Sequence, residues 1–385
     1  MENNTDIRIF RIDIPQADLD DLRSRIARTR WAAELTGAGW ERGAPASYLR
    51  ELADYWASSY DWRKHEAELN SYPQFVTTID GEDVHFLHVR SAVESATPLL
   101  LVHGWPGSVV EFLDLIGPLT DPVAHGGDEA DAFHVVIPSH PGHGFSGPIS
   151  KTGWNDGRTA AAFAQLMDRL GYDRYAAQGG DVGAFILPAL GRIAPDKVIG
   201  IHLNAHVTFP TGDPEDMAAL TESEHERLAA FKDFQDDKSA YMQIQGTRPL
   251  TVSYGLMDSP IAQLAWITEK FKDWTDPAAE LPDDAVDRDR LLTNISIYWF
   301  TRTALSSANS YYERFHDASA WAPKERSTVP TAVAVFTTDV AIRRFGEKTD
   351  TIVRWTEFER GGHFAAMEAP DLLLGDVREF FRSLR

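Results

Sequence analysis

The chain has 385 residues, 43% of them hydrophobic and 25% charged, which is the composition of a folded globular protein with a sizeable core. Its 37 lysine and arginine residues face 58 acidic residues, and the resulting net charge of −21 argues against nucleic acid or anionic lipid as a partner. The lack of cysteine excludes disulfide bonds, thiolate metal ligands and a cysteine nucleophile.

The first residues, "MENNTDIRIF", do not have the basic and then apolar pattern of a signal peptide. No run of about 18 apolar residues predicts a membrane span. We therefore expect a cytoplasmic protein without a membrane anchor.

Residues 7–70 are predicted to be mostly helical, because apolar residues in "QADLDDLRSRIART" and "ASYLRELADYWASSYDW" recur every three to four positions. The tryptophans of this part indicate packing on another surface rather than an independent core; they are Trp31, Trp40, Trp56 and Trp62. The next segments, "QFVTTID" and "VHFLHVR", meet at Asp80 and Gly81, which predicts a β-hairpin.

From residue 98 the pattern alternates between apolar strands and helices. The predicted strands are "PLLLVHG", "FHVVIPS", "RYAAQGG" and "KVIGIHLN". Strands that are apolar throughout and separated by helices indicate a mostly parallel, doubly wound sheet. Residues 214–315 show helical patterns and no convincing strand, after which "TAVAVFTTD" and "TIVRWTEFER" predict strands and "DLLLGDVREFFRSLR" a last helix.

This order predicts an α/β fold that carries an inserted helical lid and an N-terminal helical segment. We divide the chain into an N-terminal segment that packs on core and lid, the first part of the α/β core, the lid, and the second part of the core. Their respective ranges are 1–74, 75–205, 206–315 and 316–385.

The segment "GGDVG" places Asp181 between a predicted strand and a predicted helix, with glycines at positions 179, 180 and 183. In the α/β-hydrolases a turn of this kind carries the nucleophile, usually a serine. An aspartate that caps the helix after a glycine-rich turn is an equally good interpretation of these five residues.

Two later residues favour the nucleophile. Asp339 ends the predicted strand "TAVAVFTTD", and His363 follows in "RGGHFAAMEAP", a predicted loop before the last helix. This is the chain order nucleophile, acid, histidine of the α/β-hydrolases, and it suits an orienting acid and a general base. The interval of 363 − 339 = 24 residues leaves room for a helix and a strand. The alternative acids Asp350, Glu357 and Glu359 do not end the preceding strand.

An oxyanion hole is predicted from "LVHGWPGSVVEF", which follows a strand. The backbone N–H of Trp105 would act together with that of Val182, the residue after the candidate nucleophile. The alternative is an ordinary turn before a helix that Ser108 caps.

An aspartate nucleophile attacks an sp³ carbon and forms an ester, either by opening an epoxide or by displacing a halide. A halide needs N–H donors, often from a tryptophan directly after the nucleophile, where this chain has Val182. An epoxide oxygen needs an acid that stays protonated, such as tyrosine with a pKa of about 10. The helical block supplies five candidates: Tyr241, Tyr254, Tyr298, Tyr311 and Tyr312.

The chain resembles the microsomal-type epoxide hydrolases of the α/β-hydrolase superfamily, over nearly its whole length. The resemblance lies in the tryptophan-rich start and in "HGWPGS", "GGDVGA", "AYMQIQGTRP", "DSPIAQLAWITEKF", "SSANSYYE" and "RGGHFAAMEAP". It implies that Asp181 is the nucleophile, His363 the base and Asp339, where mammalian members often have glutamate, the orienting acid. It also implies that Tyr241 and Tyr311 donate to the epoxide oxygen, with Tyr312 as the adjacent alternative. An arginine is common in the family at Asn309.

The implied reaction converts a hydrophobic epoxide, with styrene oxide as a suitable type, and water to a vicinal diol, without metal or cofactor. Resemblance to bacterial members also suggests secondary metabolism, including enediyne pathways. A haloalkane-type dehalogenase and a non-catalytic binding protein are the alternatives. The sequence leaves the exact substrate, the stereochemistry and the oligomeric state open, a homodimer included.

Overall fold

A computed structural model describes residues 6–210, 212–320 and 322–385. The strands are β1 (Arg8–Ile9), β2 (Gln74–Ile79), β3 (Glu82–Val89), β4 (Thr97–Val102), β5 (Phe133–Pro138), β6 (Tyr175–Gly180), β7 (Val198–Asn204), β8 (Pro330–Val335) and β9 (Thr351–Glu357). They form one sheet in the order β1-β2-β3-β5-β4-β6-β7-β8-β9.

The helices are α1 (Gln16–Ala27), α2 (Ala46–Ser58), α3 (Trp62–Leu69), α4 (Leu113–Thr120), α5 (Asp156–Arg169), α6 (Gly183–Ile193), α7 (Pro214–Ala218), α8 (Glu222–Asp233), α9 (Ala240–Thr247), α10 (Pro249–Asp258), α11 (Pro260–Asp273), α12 (Pro282–Ala285), α13 (Arg288–Thr301), α14 (Ala304–Phe315), α15 (Arg343–Gly346), α16 (Ala365–Glu368) and α17 (Pro370–Arg382). Short 3₁₀ turns lie at Val109–Phe112, Val123–His125, Glu129–Asp131 and Gly144–Ser146, and a π-helical turn at Phe234–Lys238. No helix of the described ranges is long and apolar enough to cross a membrane.

The sheet confirms the predicted α/β architecture. Strands β5, β4, β6, β7, β8 and β9 run parallel to one another, whereas β1, β2, β3 and β5 pair antiparallel. Every residue of β5 is buried, as expected for a central strand that is covered on both faces. Helices α4 and α17 pack on each other, and so do α5 and α6. In such sheets the loops at the carboxyl ends of the strands form the functional site.

The N-terminal segment contains helices α1 and α2, which lie in the two stretches with helical patterns, and also helix α3, and two of its side chains bond to helix α13. Trp56 Nε1 donates to Ser296 Oγ at 2.9 Å, and the hydroxyls of Tyr60 and Thr293 are hydrogen-bonded at 2.9 Å. The packing of the tryptophans on another surface is therefore confirmed for Trp56. The short strand β1 was not predicted, because two residues carry no alternating pattern.

The predicted extent of strand β8 is wrong. The strand ends at Val335, and Asp339 lies in a turn after it rather than at its last position. The Asp339 carboxylate accepts the N–H of Phe336 at 2.9 Å, and the Asp339 N–H donates to the Phe336 carbonyl at 3.0 Å. These two bonds close a turn, so the chain leaves the sheet four residues earlier. The four sequence-based domain ranges remain our proposal.

Candidate active site

Asp181 occupies the turn between strand β6 and helix α6, and its φ of +54° lies in the left-handed region. The adjacent glycines are needed because the turn lies close to strand β4. A Cβ at Gly179 would lie 2.6 Å from the Val102 carbonyl oxygen, and one at Gly183 would lie 2.4 Å from it. The strand, the strained turn and the glycines together form an elbow of the kind that carries the nucleophile in α/β-hydrolases.

The loop after strand β4 brings Trp105 to the Asp181 carboxylate. The Trp105 N–H donates to Asp181 Oδ1 at 2.9 Å. Gly104 permits this approach, because a Cβ there would lie 2.5 Å from the Asp181 Cβ. Val182 follows Asp181 with helical backbone angles at the N-terminus of α6, where N–H groups lack partners within the helix.

His363 lies beside the same carboxylate, with its Nε2 3.6 Å from Asp181 Oδ2. The His363 N–H donates to the Trp274 carbonyl at 2.8 Å, and the rings of His363 and Trp274 are 4.9 Å apart. Burial lowers the pKa of His363 below its ordinary value, and the negative charge of Asp181 opposes this shift. The imidazole is therefore neutral at pH 7 and can accept a proton.

A carboxylate that the sequence analysis missed holds the loop of His363. Glu368 accepts the N–H groups of Gly362, Phe364 and Asp276 at 2.9, 2.9 and 2.7 Å. Burial raises the pKa of Glu368 to about 7, which the three N–H groups oppose. A glutamate five residues after a histidine is not distinctive enough to predict this role.

Asp339 lines the same cavity as Asp181 and His363, but its carboxylate is bonded to the backbone. Besides the Phe336 N–H, Asp339 Oδ2 accepts that of Ala205 at 3.3 Å. Among the described residues, no hydrogen bond and no ion pair within 4.0 Å joins Asp339 to His363. Burial raises the pKa of Asp339 to about 7.

The alternative acids have other partners or positions. Asp350 pairs with Arg192 at 3.2 Å, and Glu357 pairs with Arg227 at 2.7 Å. Glu359 is exposed. Asp339 thus stays our candidate for the orienting acid.

Tyr241 and Tyr311 are both buried and line the cavity. Their ring centroids are 5.9 Å apart, and both rings contact Trp105, at 5.3 and 5.6 Å. Burial, with a further contribution from Asp181, raises the pKa of each phenol well above 10. Both hydroxyls are therefore protonated at neutral pH and able to donate.

The other tyrosines of the helical block have different surroundings. The Tyr298 hydroxyl donates to the Gly107 carbonyl at 2.7 Å, and Tyr312 stacks on His316 with ring centroids 3.9 Å apart. Tyr254 is 71% exposed. Of the five tyrosines, Tyr241 and Tyr311 line the cavity, and the other three do not.

Two side chains of helix α13 hold the loop of Trp105, and the buried acid Glu111 lies beside it. Asn294 Nδ2 donates to the Pro106 carbonyl at 2.7 Å, next to the bond from Tyr298 to Gly107. Burial raises the pKa of Glu111 to about 8, and the charge of Asp181 adds to this shift. No pattern in the sequence indicated the bonds from Asn294 and Tyr298, because these bonds join segments that are far apart in the chain.

The cavity has a volume of about 1050 Å³ and contains Asp181, His363, Tyr241 and Tyr311. Aromatic side chains form much of the remaining wall; they include Phe185, Phe231, Phe234, Trp274, Phe315 and Phe336. A cavity of this size and composition fits a hydrophobic small molecule.

The sheet, the elbow and the adjacent histidine define a protein of the α/β-hydrolase class. The model of the family "alpha/beta hydrolase fold" matches residues 97–295, and that of the family "Epoxide hydrolase N terminus" matches residues 7–112. These matches agree with the fold.

Similar proteins narrow the class to a family. A protein of Stigmatella aurantiaca (strain DW4/3-1) is 47% identical over 98% of this chain and 85% of its own length. Epoxide hydrolase 1 of Oryctolagus cuniculus is 38% identical over 97% of this chain and 88% of its own. The crystal structure of juvenile hormone epoxide hydrolase from Bombyx mori superposes with a TM-score of 0.91 at 32% identity, covering 100% of this chain and 96% of that one. The chain belongs to the microsomal-type epoxide hydrolase family and is a hydrolase that acts on epoxides.

Proposed function

We propose that this enzyme converts a hydrophobic epoxide and water to a vicinal diol through a covalent ester of Asp181. The observation that carries the proposal is that the two oxygens of that carboxylate have different neighbours. Oδ1 accepts the Trp105 N–H at 2.9 Å, whereas Oδ2 lies 3.6 Å from His363 Nε2, and Asp181 lines the same cavity as the two tyrosines.

In the first step Asp181 Oδ2 attacks one carbon of the epoxide ring and forms a C–O bond. The bond from that carbon to the ring oxygen breaks, and its electron pair stays on the oxygen. Tyr241 and Tyr311 donate hydrogen bonds to this oxygen, and one of them transfers a proton to it. Donors placed where negative charge develops stabilise the transition state more than the ground state.

In the second step a water molecule attacks the carbonyl carbon of the ester, and His363 accepts a proton from it. The negative charge then falls on Oδ1, which the Trp105 N–H already contacts, with the Val182 N–H as the second donor. The tetrahedral intermediate collapses by breaking the bond between the carbonyl carbon and Oδ2, so Oδ2 leaves in the diol and the water oxygen completes the Asp181 carboxylate. The hydroxyl proton of the intermediate passes to the leaving alkoxide, and the proton on His363 returns to the tyrosinate. Asp339 orients the imidazolium once its carboxylate turns from the backbone toward His363.

The aromatic wall of the cavity favours an apolar epoxide such as a styrene-oxide type. Halide displacement on the same residues is the alternative, and the phenols favour the epoxide because they can protonate an oxygen. Val182 offers no side-chain N–H to a halide. A role in secondary metabolism stays a prediction.

The test is a panel of epoxides and haloalkanes with analysis of both diol and halide. We expect diol from apolar epoxides, no halide, and no turnover in Asp181→Ala or Asp181→Asn. The asparagine variant is the better control for folding, because asparagine tolerates the positive φ of this turn. Full activity of either variant, or halide release by the wild type, would overturn the proposal.

A further inference from the structure

Lys270, on helix α11, is only 1% exposed, although lysine is among the residues least often buried. Its ammonium group pairs with the carboxylate of Glu269. The same nitrogen lies 4.3 Å from the ring centroid of Tyr241 and 5.8 Å from that of Trp274. A buried cation thus lies against the ring of one of the two candidate donors.

We propose that Lys270 is a positioning residue that strengthens Tyr241 as the donor to the epoxide oxygen, an inference that rests on the function proposed above. A cation is attracted to the face of a neutral phenol by the ring quadrupole. When Tyr241 passes its proton toward the oxygen, the phenol gains negative charge, and the attraction to Lys270 becomes stronger. The contact therefore stabilises the transition state of ring opening more than the ground state.

The surroundings of Tyr241 weaken its phenol as an acid. Burial and the charge of Asp181 raise the pKa of the phenol, so Tyr241 without a nearby cation would be a poor acid. Because Lys270 and Tyr241 are both buried, a charge at this distance acts more strongly than it would in solution.

Tyr311 shows the same arrangement with a different cation. The Arg314 guanidinium lies 5.8 Å from its ring centroid and opposes the rise in the pKa of Tyr311 and also that of Tyr241. Arg314 is itself bonded twice to Asp156, at 2.6 and 2.8 Å, just as Lys270 is paired with Glu269. Each tyrosine thus has a buried cation beside it, and that of Tyr241 is the closer.

The test separates ester formation from ester hydrolysis in single-turnover experiments with styrene oxide, followed by rapid quench and intact mass. A desolvated cation–π contact of about 2 kcal/mol corresponds to a roughly 30-fold slower formation of the ester in Lys270→Met. Hydrolysis of the ester should keep its rate, because Tyr241 donates only in the first step. Lys197→Met removes an ammonium from the ion pair with Asp168 and should change neither step.

A double-mutant cycle distinguishes this role from packing. In the Tyr241→Phe background, Lys270→Met should slow ester formation no further, and Lys270→Arg alone should form the ester at close to the wild-type rate. Equal slowing in both backgrounds, slowing of both steps, or no slowing would overturn the inference. If Lys270→Met does not fold, Lys270→Gln, which keeps a polar group, replaces it in the same cycle. A wild-type enzyme that forms no ester would instead refute the proposed function.

Discussion

Replacing Tyr311 with phenylalanine removes one hydroxyl from the cavity and no carbon atom from the packing. The neighbouring Tyr312 provides a matched control on the same helix. Tyr311 is 3% exposed and its ring contacts Trp105 at 5.6 Å, whereas Tyr312 stacks on His316. If only Tyr311 donates to the epoxide oxygen, Tyr311→Phe and Tyr312→Phe will differ in rate although they delete the same group.

The magnitude follows from the number of donors. Loss of one donor to a developing oxyanion costs about 10²- to 10³-fold in rate. Tyr241 also lines the cavity and shares the charge, so we expect the lower end, roughly 100-fold or about 2.7 kcal/mol, for Tyr311→Phe. Removing both hydroxyls should cost more than the sum of the two single losses, because no donor then remains.

The assay measures ester formation and steady-state diol production for the wild type and the two variants. Tyr311→Phe should lower the rate of ester formation with little change in the rate of ester hydrolysis, and Tyr312→Phe should match the wild type. Equal rates in all three proteins, or a larger loss in Tyr312→Phe, would refute the assignment of the second donor to Tyr311.

Three further predictions concern the elbow, the buried acid and the base. Gly183→Ala should lower the melting temperature and activity because the new Cβ would lie 2.4 Å from the Val102 carbonyl oxygen, whereas Gly375→Ala, with nothing within 4 Å, should not. The folded-state pKa of Glu111 is raised from 4.5 to about 8, so its stabilising effect is complete below pH 4.5 and is lost as the pH rises through 8. Urea unfolding should therefore show a smaller loss of stability between pH 5 and 8 in Glu111→Gln, and an unchanged slope would contradict this. Because burial lowers the pKa of His363, ester hydrolysis should fall off only below pH 6.5 in a pH–rate profile, and a midpoint above 6.5 would count against His363 as the base.

Much of the fold could be predicted because local patterns agree with the tertiary structure. The runs "FHVVIPS" and "RYAAQGG" are buried strands whose apolar residues identify them without reference to the rest of the chain. Strand β1 could not be predicted from its own two residues. Arg8 and Ile9 form a strand because they pair with the edge of β2. The end of β8 was misplaced because the side chain of Asp339 bonds to the Phe336 N–H and so closes a turn.

A residue of the candidate site could be predicted where the residues next to it in the sequence form a distinctive motif. Asp181 and His363 follow from their flanking glycines and their order in the chain, and the structure brings them within 3.6 Å. Lys270 was not foreseen, since its contact with Tyr241 joins two helices and is invisible in either segment alone. Glu368 and Glu111 were missed for a different reason, because a single acidic residue close in sequence to a loop is not a distinctive signal.

The most direct test of the covalent mechanism is the intact mass of His363→Gln after incubation with styrene oxide. Ring opening expels no atom, so the ester should add the mass of the whole epoxide, and peptide mapping should place it on Asp181. The account predicts that this adduct accumulates in His363→Gln and is absent when Asp181→Asn is added. Consumption of the epoxide by His363→Gln without an adduct, or an adduct on any other residue, would contradict it.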